Sequence, residues 1–369
     1  MTSPSILRPV PVVLQGGVVA MTGTFHVLEE SSDESLEPAV AAGYQSQPPA
    51  LGSVPGFWTK VVSFVWMVGL VSRALTRIAF RQNMGHLKLR VRLLFATLCH
   101  APQVGALFRQ GPPALQRIAR ERPETVIGPL LWPYLCASWS VEERLHCISD
   151  HYRIIGGLEG PFPFAVDERL VLATLDEVFP GLRIVIDQPL WLIREGGLTL
   201  SLFVDDFRAY SLAFSFMEAP MSMGIYCLIG SVQGRSTSDA MELYRQLTKA
   251  AHGLRPRDLL IELCRILCRH WEVKRLLGVR DSERYDRHPF FGGKTATAQD
   301  YDAIWQDRGG VLDNPYFYFL PLAAERRDEA DIKPNKRSLY RGRYRFLDQL
   351  EVEVTQRLPS LQPQWFADR

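Results

Sequence analysis

Between residues 183 and 234 the chain abandons the helical spacing of its apolar residues for short runs in which apolar positions alternate with Ser, Thr or Ala. RIVID, WLIREGG, LTLSLFV, YSLAFSF and GIYCLIGSVQG each read as a strand, because period-two alternation sends successive side chains to opposite faces of a pleated sheet. Asp205 and Asp206 supply a turn between two of them, so the block reads as an antiparallel meander. Helical spacing dominates from Leu87 to Ile155, with breaks at Pro102, Pro112, Pro113, Pro123, Pro129 and Pro133. Ser140 and Glu143 form a capping box that opens SVEERLHCISDHYRII, and Gly156 and Gly157 close it. VDERLVLATLDEVF is read as a further helix before the strands begin. After the meander come helix SDAMELYRQLTKAA, helix RPRDLLIELCRILCRH, strand RLLGV, helix QDYDAIWQDRGG and strand YFYFLP. KPNKRSLYRGRYRFLDQLEVEVTQRL then forms a helix that is first basic and later acidic. The fold class is therefore α+β: a helical N-terminal half followed by a mixed sheet in the order meander, helix, strand, helix, strand.

Charge divides the chain further. Residues 1–55 hold one Arg against Glu29, Glu30, Asp33, Glu34 and Glu37, whereas residues 56–122 hold eleven Lys/Arg against Glu121 alone, so a net −4 tail precedes a net +10 segment. Four regions are expected: a disordered acidic tail over 1–54, a basic helical region over 55–160, an α/β domain over 161–325 and a C-terminal basic helix over 326–369. The overall net charge of +2 argues against a dedicated nucleic-acid binder. Pro9, Pro11, Gly16 and Gly17 interrupt the apolar N-terminus and no secretory cleavage pattern follows, whereas the cysteines fit a reducing cytoplasm. The six cysteines are scattered without a CxxC pair and read as free thiols in a reducing compartment, Cys264 and Cys268 lying one helical turn apart. His146, Cys147, Asp150 and His151 share one helix, but ordinary packing explains such a set and no metal is assigned.

The stretch 57–81, FWTKVVSFVWMVGLVSRALTRIAFR, winds into a helix with Val61, Phe64, Val68, Val71, Leu75 and Ile78 on one side and Arg73, Arg77 and Arg81 on the other. Its charge-free run of twelve residues is too short to span a bilayer. Two readings stay open: a peripheral helix on an anionic membrane, here the inner membrane, and a helix docked on the body with its arginines in solvent.

Two helix entrances are candidate anion sites. In HGLRPRDLL, beginning at His252, Gly253 permits close backbone approach, Pro256 suits the first helical turn, and Arg255 and Arg257 can clamp phosphate oxygens. Asp258 opposes this, and a plain capped helix start is the alternative. In GSVQGRSTSD, Gln233, Gly234 and Arg235 leave a strand for a helix, but the lysine of a P-loop is missing, so a strand exit capped by Ser236, Thr237 or Ser238 is the other reading.

The order of elements resembles that of GNAT-type acyltransferases. That resemblance implies acyl-coenzyme A as co-substrate, with its pyrophosphate at such a helix entrance, and a base and a hydroxyl donor near the strand that follows. Asp281, Tyr285 and Tyr301 occupy those places here. The usual loop, with Gln or Arg and two glycines at fixed spacing, is not met. HExxH, GxSxG and a Ser/His/Asp signature are absent from the sequence.

WPYLCASWSVEERLHCISDHYRII, REGGLTLSLF, YSLAFSF, IGSVQG, LTKAAHGLRPRDLL, GVRDSERY, YDAIWQDRGG and KPNKRSLYRGRYRFLDQL together resemble the VirK/YbjX family of bacterial proteins over residues 90–352. The resemblance implies a setting in virulence and in resistance to envelope stress such as antimicrobial peptides, but no reaction. Two functions follow as expectations: a GNAT-like acyltransferase acting on an envelope or small-molecule amine, or a non-enzymatic, membrane-peripheral regulator or binding protein.

Overall fold

Eight strands form one mixed sheet in a computed structural model that describes residues 84–219, 221, 224–291, 299–366 and 368, with isolated positions at 68, 69 and 72. The acidic tail and nearly all of the stretch 57–81 lie outside the described residues. The strands are β1 (Leu170–Thr174), β2 (Leu182–Asp187), β3 (Leu198–Val204), β4 (Phe207–Glu218), β5 (Ile225–Gly234), β6 (Arg275–Val279), β7 (Val311–Leu312) and β8 (Phe317–Leu320), in the spatial order β1-β2-β3-β4-β5-β6-β8-β7. Every neighbouring pair is antiparallel except β5 and β6, which run parallel. The α+β class expected from the periodicity is the one observed.

Helices α1 (Met84–Cys99), α2 (Ala101–Gln110), α3 (Pro113–Glu121), α4 (Glu124–Ile127) and α5 (Val141–Ile155) precede the sheet. α6 (Ser238–Ala250) and α7 (Pro256–His270) link β5 to β6, α8 (Tyr301–Gln306) follows β6, and α9 (Pro334–Arg357) closes the chain. One apolar core runs from Leu93 of α1 through the sheet to Leu361. Among the described residues no single helix is long and apolar enough to cross a membrane.

Two expected elements differ. The helix read into VDERLVLATLDEVF is strand β1. Leu170 and Leu172 face the main core while Val171 packs with Val185, Phe203 and Phe366 on the other side. With both faces covered, the alternation that marks a strand is lost. The strand read into WLIREGG is a 3₁₀ turn at Leu190–Leu192, entered from Pro189, followed by a tight bend. Pro189 cannot donate to a ladder, and Gly196 and Gly197 lie too close to other atoms for side chains to alternate there.

Elsewhere the local chemistry matches the sequence reading. The Ser140–Glu143 capping box opens α5, and Asp205, at φ 53°, makes the β3–β4 hairpin turn. β4 outruns β3, leaving the N–H groups on its β3 side beyond Phe214 without a strand partner; Phe216 donates to His151 Nδ1 at 3.2 Å and Glu218 to Asp150 Oδ2 at 2.9 Å. Asp150 and His151 of that α5 set thus cap the free side of β4, with His146 half-exposed 3.4 Å from Asp150 and Cys147 in the core.

β5 and β6 pair only from Tyr226↔Arg275 to Ile229↔Gly278. Gly230 is then a bulge on β5, since Phe214 faces Ile229 while Ala213 faces Ser231. A bulge bends its strand and sharpens the local twist, so β5 runs on to Gly234 beside β4 while β6 stops at Val279. Tyr301 fills the fork: its hydroxyl accepts from the Val232 N–H at 3.1 Å. The candidate site lies around this fork.

Candidate functional site

β5 turns into α6 at its end, and α6 returns through residues 251–255 to α7; a cleft of about 680 Å³ opens among these corners. Arg245 and Lys249 stand one turn apart on α6, Arg235 comes from the strand exit, and Arg255 and Arg257 come from the mouth of α7. The described residues lining the cleft include these five cations and no acid. Arg245 pairs with Glu242 at 2.8 Å, Arg257 with Asp258 at 3.0 Å, and Arg235 lies over the Phe207 ring. Lys249 and Arg255 have no acidic partner among the described residues. Tyr210 and Tyr244 form an aromatic wall with ring centroids 5.4 Å apart. They explain Gly234, where a Cβ would lie 2.4 Å from the Tyr210 ring and 2.6 Å from the Tyr244 hydroxyl.

The α7 entrance keeps the form read from HGLRPRDLL. Arg255 is the N-cap and Pro256 the first helical residue, so the first-turn N–H groups have no intrahelical partners. The Asp258 carboxylate is buried beside Arg257 and 3.9 Å from Arg308, which neutralises the repulsion an anion would meet. Gly253 has φ 76° and donates to the Thr248 carbonyl at 2.7 Å, so its glycine is required by the turn that ends α6. His252, at φ 50°, points its ring at Gly342 and Phe346 of α9 and lies outside the cleft. Gly234, Arg235, Gly253, Arg255 and Arg257 are therefore brought together, while His252 and Gln233 are not among the lining residues.

Gln233 instead leads to a carboxyl that the sequence reading missed. Its Nε2 donates to Glu195 Oε2 at 2.9 Å. Glu195 follows the 3₁₀ turn in a segment pressed flat on the sheet: a Cβ at Gly196 would lie 2.5 Å from the Phe214 backbone, and one at Gly230 only 1.9 Å from the Glu195 carbonyl. Gly196 and Gly230 thus seat one acid at the bulge where β5 and β6 part. Glu195 is 2% exposed, and burial lifts its carboxyl from 4.5 to about 7 against the opposing pull of the Ser231 and Tyr285 hydroxyls and the Arg284 charge. A carboxyl near 7 can accept a proton at neutral pH.

The expected catalytic residues surround this acid unevenly. Tyr285, half-buried, sits beside Glu195, and its hydroxyl is pushed well up, first by burial and then by that carboxylate. Tyr301 is 1% exposed with its hydroxyl engaged by the Val232 backbone. Asp281 pairs with Arg287 and, at 3.4 Å, with Arg284, and accepts from the Tyr301 N–H. Arg284 in turn lies 4.2 Å from the Tyr301 ring centroid and donates to the Gln299 carbonyl. Gln299 donates to the Tyr210 hydroxyl at 3.1 Å, so the carboxyl cluster and the basic cleft share walls through Gln233–Gly234 and Gln299–Tyr210.

Away from the cleft, Cys227 of β5 joins Cys264 and Cys268 of α7, the three sulfurs lying within 4.8 Å of one another in the core. The sequence pairs only the two helical thiols, since nothing local announces a contact from β5.

A family model described as "Protein of unknown function (DUF535)" matches residues 82–356. The uncharacterized protein YbjX of Escherichia coli is 26% identical over 265 residues, covering 70% of this chain and 76% of YbjX. The chain belongs to the VirK/YbjX family. Two uncharacterized proteins of Haemophilus influenzae are also similar, one 29% identical over 233 residues, 59% of this chain and 72% of its own length, the other 31% over 182 residues, 49% and 59%. No solved structure matches the chain. The matched span holds the cleft, Glu195 and Tyr285, so the candidate site lies in the part that defines this VirK/YbjX member.

Proposed function

We propose that this protein transfers an acyl group from acyl-coenzyme A to an amine. The observation that carries the reading is the joining of a cleft whose described lining holds five cations to a buried carboxyl, raised by burial to about 7, through consecutive residues of one strand, Gln233 and Gly234. The sheet order, with its single parallel pair forking at a bulge, supports the same reading because it resembles the element order of GNAT-type acyltransferases. The cleft volume falls within the range of ligand pockets, and its cations suit a pyrophosphate better than a neutral ligand.

In this reaction the amine nitrogen attacks the thioester carbonyl. A C–N bond forms and the C–S bond breaks. Glu195 takes the proton from the nitrogen, and Tyr285, held protonated by its raised pKa, gives one to the departing thiolate. The net proton passes from amine to thiol. The envelope-stress setting that the sequence resemblance implies would make an envelope component the amine.

Calorimetric titration of coenzyme A and acetyl-coenzyme A into the full chain tests the reading. Each charge-assisted hydrogen bond from the cleft is worth about 1.5 to 3 kcal/mol, so Arg255→Ala or Arg257→Ala should weaken binding roughly ten- to a hundred-fold. Glu195→Gln should keep binding and lose turnover. Wild-type protein that binds neither ligand at millimolar concentration sinks the proposal, and binding without any Glu195-dependent turnover favours a non-enzymatic binder.

A further inference from the structure

We infer that α1 is a membrane-docking helix that lies flat on an anionic lipid surface. Two sides of α1 are apolar, and only one is buried among the described residues. Leu93 and Thr97, one turn apart, are fully buried and anchor the helix to the core. Val91, Leu94, Phe95 and Leu98 are 60%, 42%, 68% and 47% exposed. Their spacing of i, i+3, i+4 and i+7 gathers them into one ridge covering about 100° of the helix surface. A soluble surface tolerates single exposed apolar residues, but four in one contiguous ridge mark a contact.

The charge around the ridge identifies the contact. On a helical wheel the exposed Lys88 and Arg92 border it on one side. No Asp or Glu occurs between Glu37 and Glu121, so the sequence on both sides of α1 offers cations alone. An apolar strip edged by long cationic side chains suits an interface in which the strip enters the acyl boundary while the cations reach lipid phosphates. A second copy would bring the same cations, Lys88 and Arg92, against one another, whereas a lipid surface carrying phosphates meets them with opposite charge. With sixteen residues, α1 is too short to span a bilayer, so it lies in the plane. The preceding stretch 57–81 likewise sets Arg73, Arg77 and Arg81 among apolar residues without an acid.

Cys99 gives a built-in probe. It is exposed beside the ridge, whereas the other five cysteines are buried. The full chain is labelled at Cys99 with a polarity-sensitive fluorophore and mixed with phosphatidylcholine vesicles, with and without about one-third phosphatidylglycerol. A blue shift is expected only with the anionic vesicles, and high salt should reverse it. Lys88→Gln with Arg92→Gln should lower partitioning roughly thirtyfold, since each cation at such a surface contributes about fivefold. Phe95→Ser should also lower it, with an unchanged thermal melt because the residue is exposed. The inference is overturned if the wild type ignores anionic vesicles, or if vesicle binding depends on Arg73, Arg77 and Arg81 but not on the α1 variants. It is equally overturned if Cys99 resists thiol reagents without vesicles, or if Phe95→Ser splits a dimer, since either result shows the ridge covered by protein.

Discussion

Replacing Glu195 with glutamine should stabilise the protein at alkaline pH and leave it nearly unchanged in acid. The folded carboxyl sits at about 7 instead of 4.5. Between these values the unfolded chain has released its proton and the folded chain still holds it, so stability falls as pH rises through this window. At about 1.4 kcal/mol for each tenfold change in proton affinity, the full difference is about 3 kcal/mol. No solvent discount applies, because the group is 2% exposed. Glutamine is nearly isosteric, can still accept from Gln233 Nε2, and has no proton to lose. The assay is urea unfolding of both proteins at several pH values from 4.5 to 8.5. The variant minus wild-type difference should grow from near zero to about 3 kcal/mol across that range. A constant difference would mean that Glu195 ionises as it does in water, and the buried-base argument would fall. The same titration should appear in catalysis, with kcat/KM declining below about pH 7 as the base becomes protonated.

His151 should act in the opposite direction. Burial lowers its imidazole from 6.5 to about 3, so wild-type stability should fall by about 1.4 kcal/mol per pH unit below 6.5, and His151→Gln should flatten that slope in acid unfolding. Gly253→Ala should cost about 1 to 2 kcal/mol in a chemical melt while sparing coenzyme A affinity, because φ 76° is the constraint; a stable variant with lost binding would instead point to backbone–ligand contact. A thiol reagent should modify one cysteine quickly in the native state, Cys99, and the other five only on unfolding; rapid reaction of Cys264 or Cys268 would show that the core cluster opens.

The elements legible in the sequence are those whose signals are local. Ser140 with Glu143 specifies a helix start through two reciprocal hydrogen bonds, and the Asp205 turn needs only a short polar side chain that tolerates positive φ. The α7 entrance is legible for the same reason, since an N-cap followed by proline acts within one turn. β1 is not. Its residues look helical because Leu170 and Leu172 meet the main core while Val171 meets Phe366, nearly two hundred positions away. Loss of alternation there is a property of tertiary cover, and no window of the local sequence contains it.

Glu195 shows why a site can be hidden while its surroundings are visible. Inside WLIREGG it is a charged residue beside two glycines, a pattern that fits a strand end or a solvated loop. Its chemistry comes from elsewhere: Gly230 makes room for its carbonyl, Gln233 holds its carboxylate, and Tyr285 reaches it from beyond β6. Gln233 and Tyr285 were legible as candidates because they lie next to a strand exit and a strand end, where functional groups collect at forks in open sheets. The acid between them was not legible, because what raises its pKa is burial at a bulge, and a bulge is defined by register against a partner strand. The two glycines after Glu195 are the one local trace. A Gly-Gly pair that interrupts an apolar run beside an acid signals close backbone approach, and at such places a charged side chain is pressed into the sheet and loses its water.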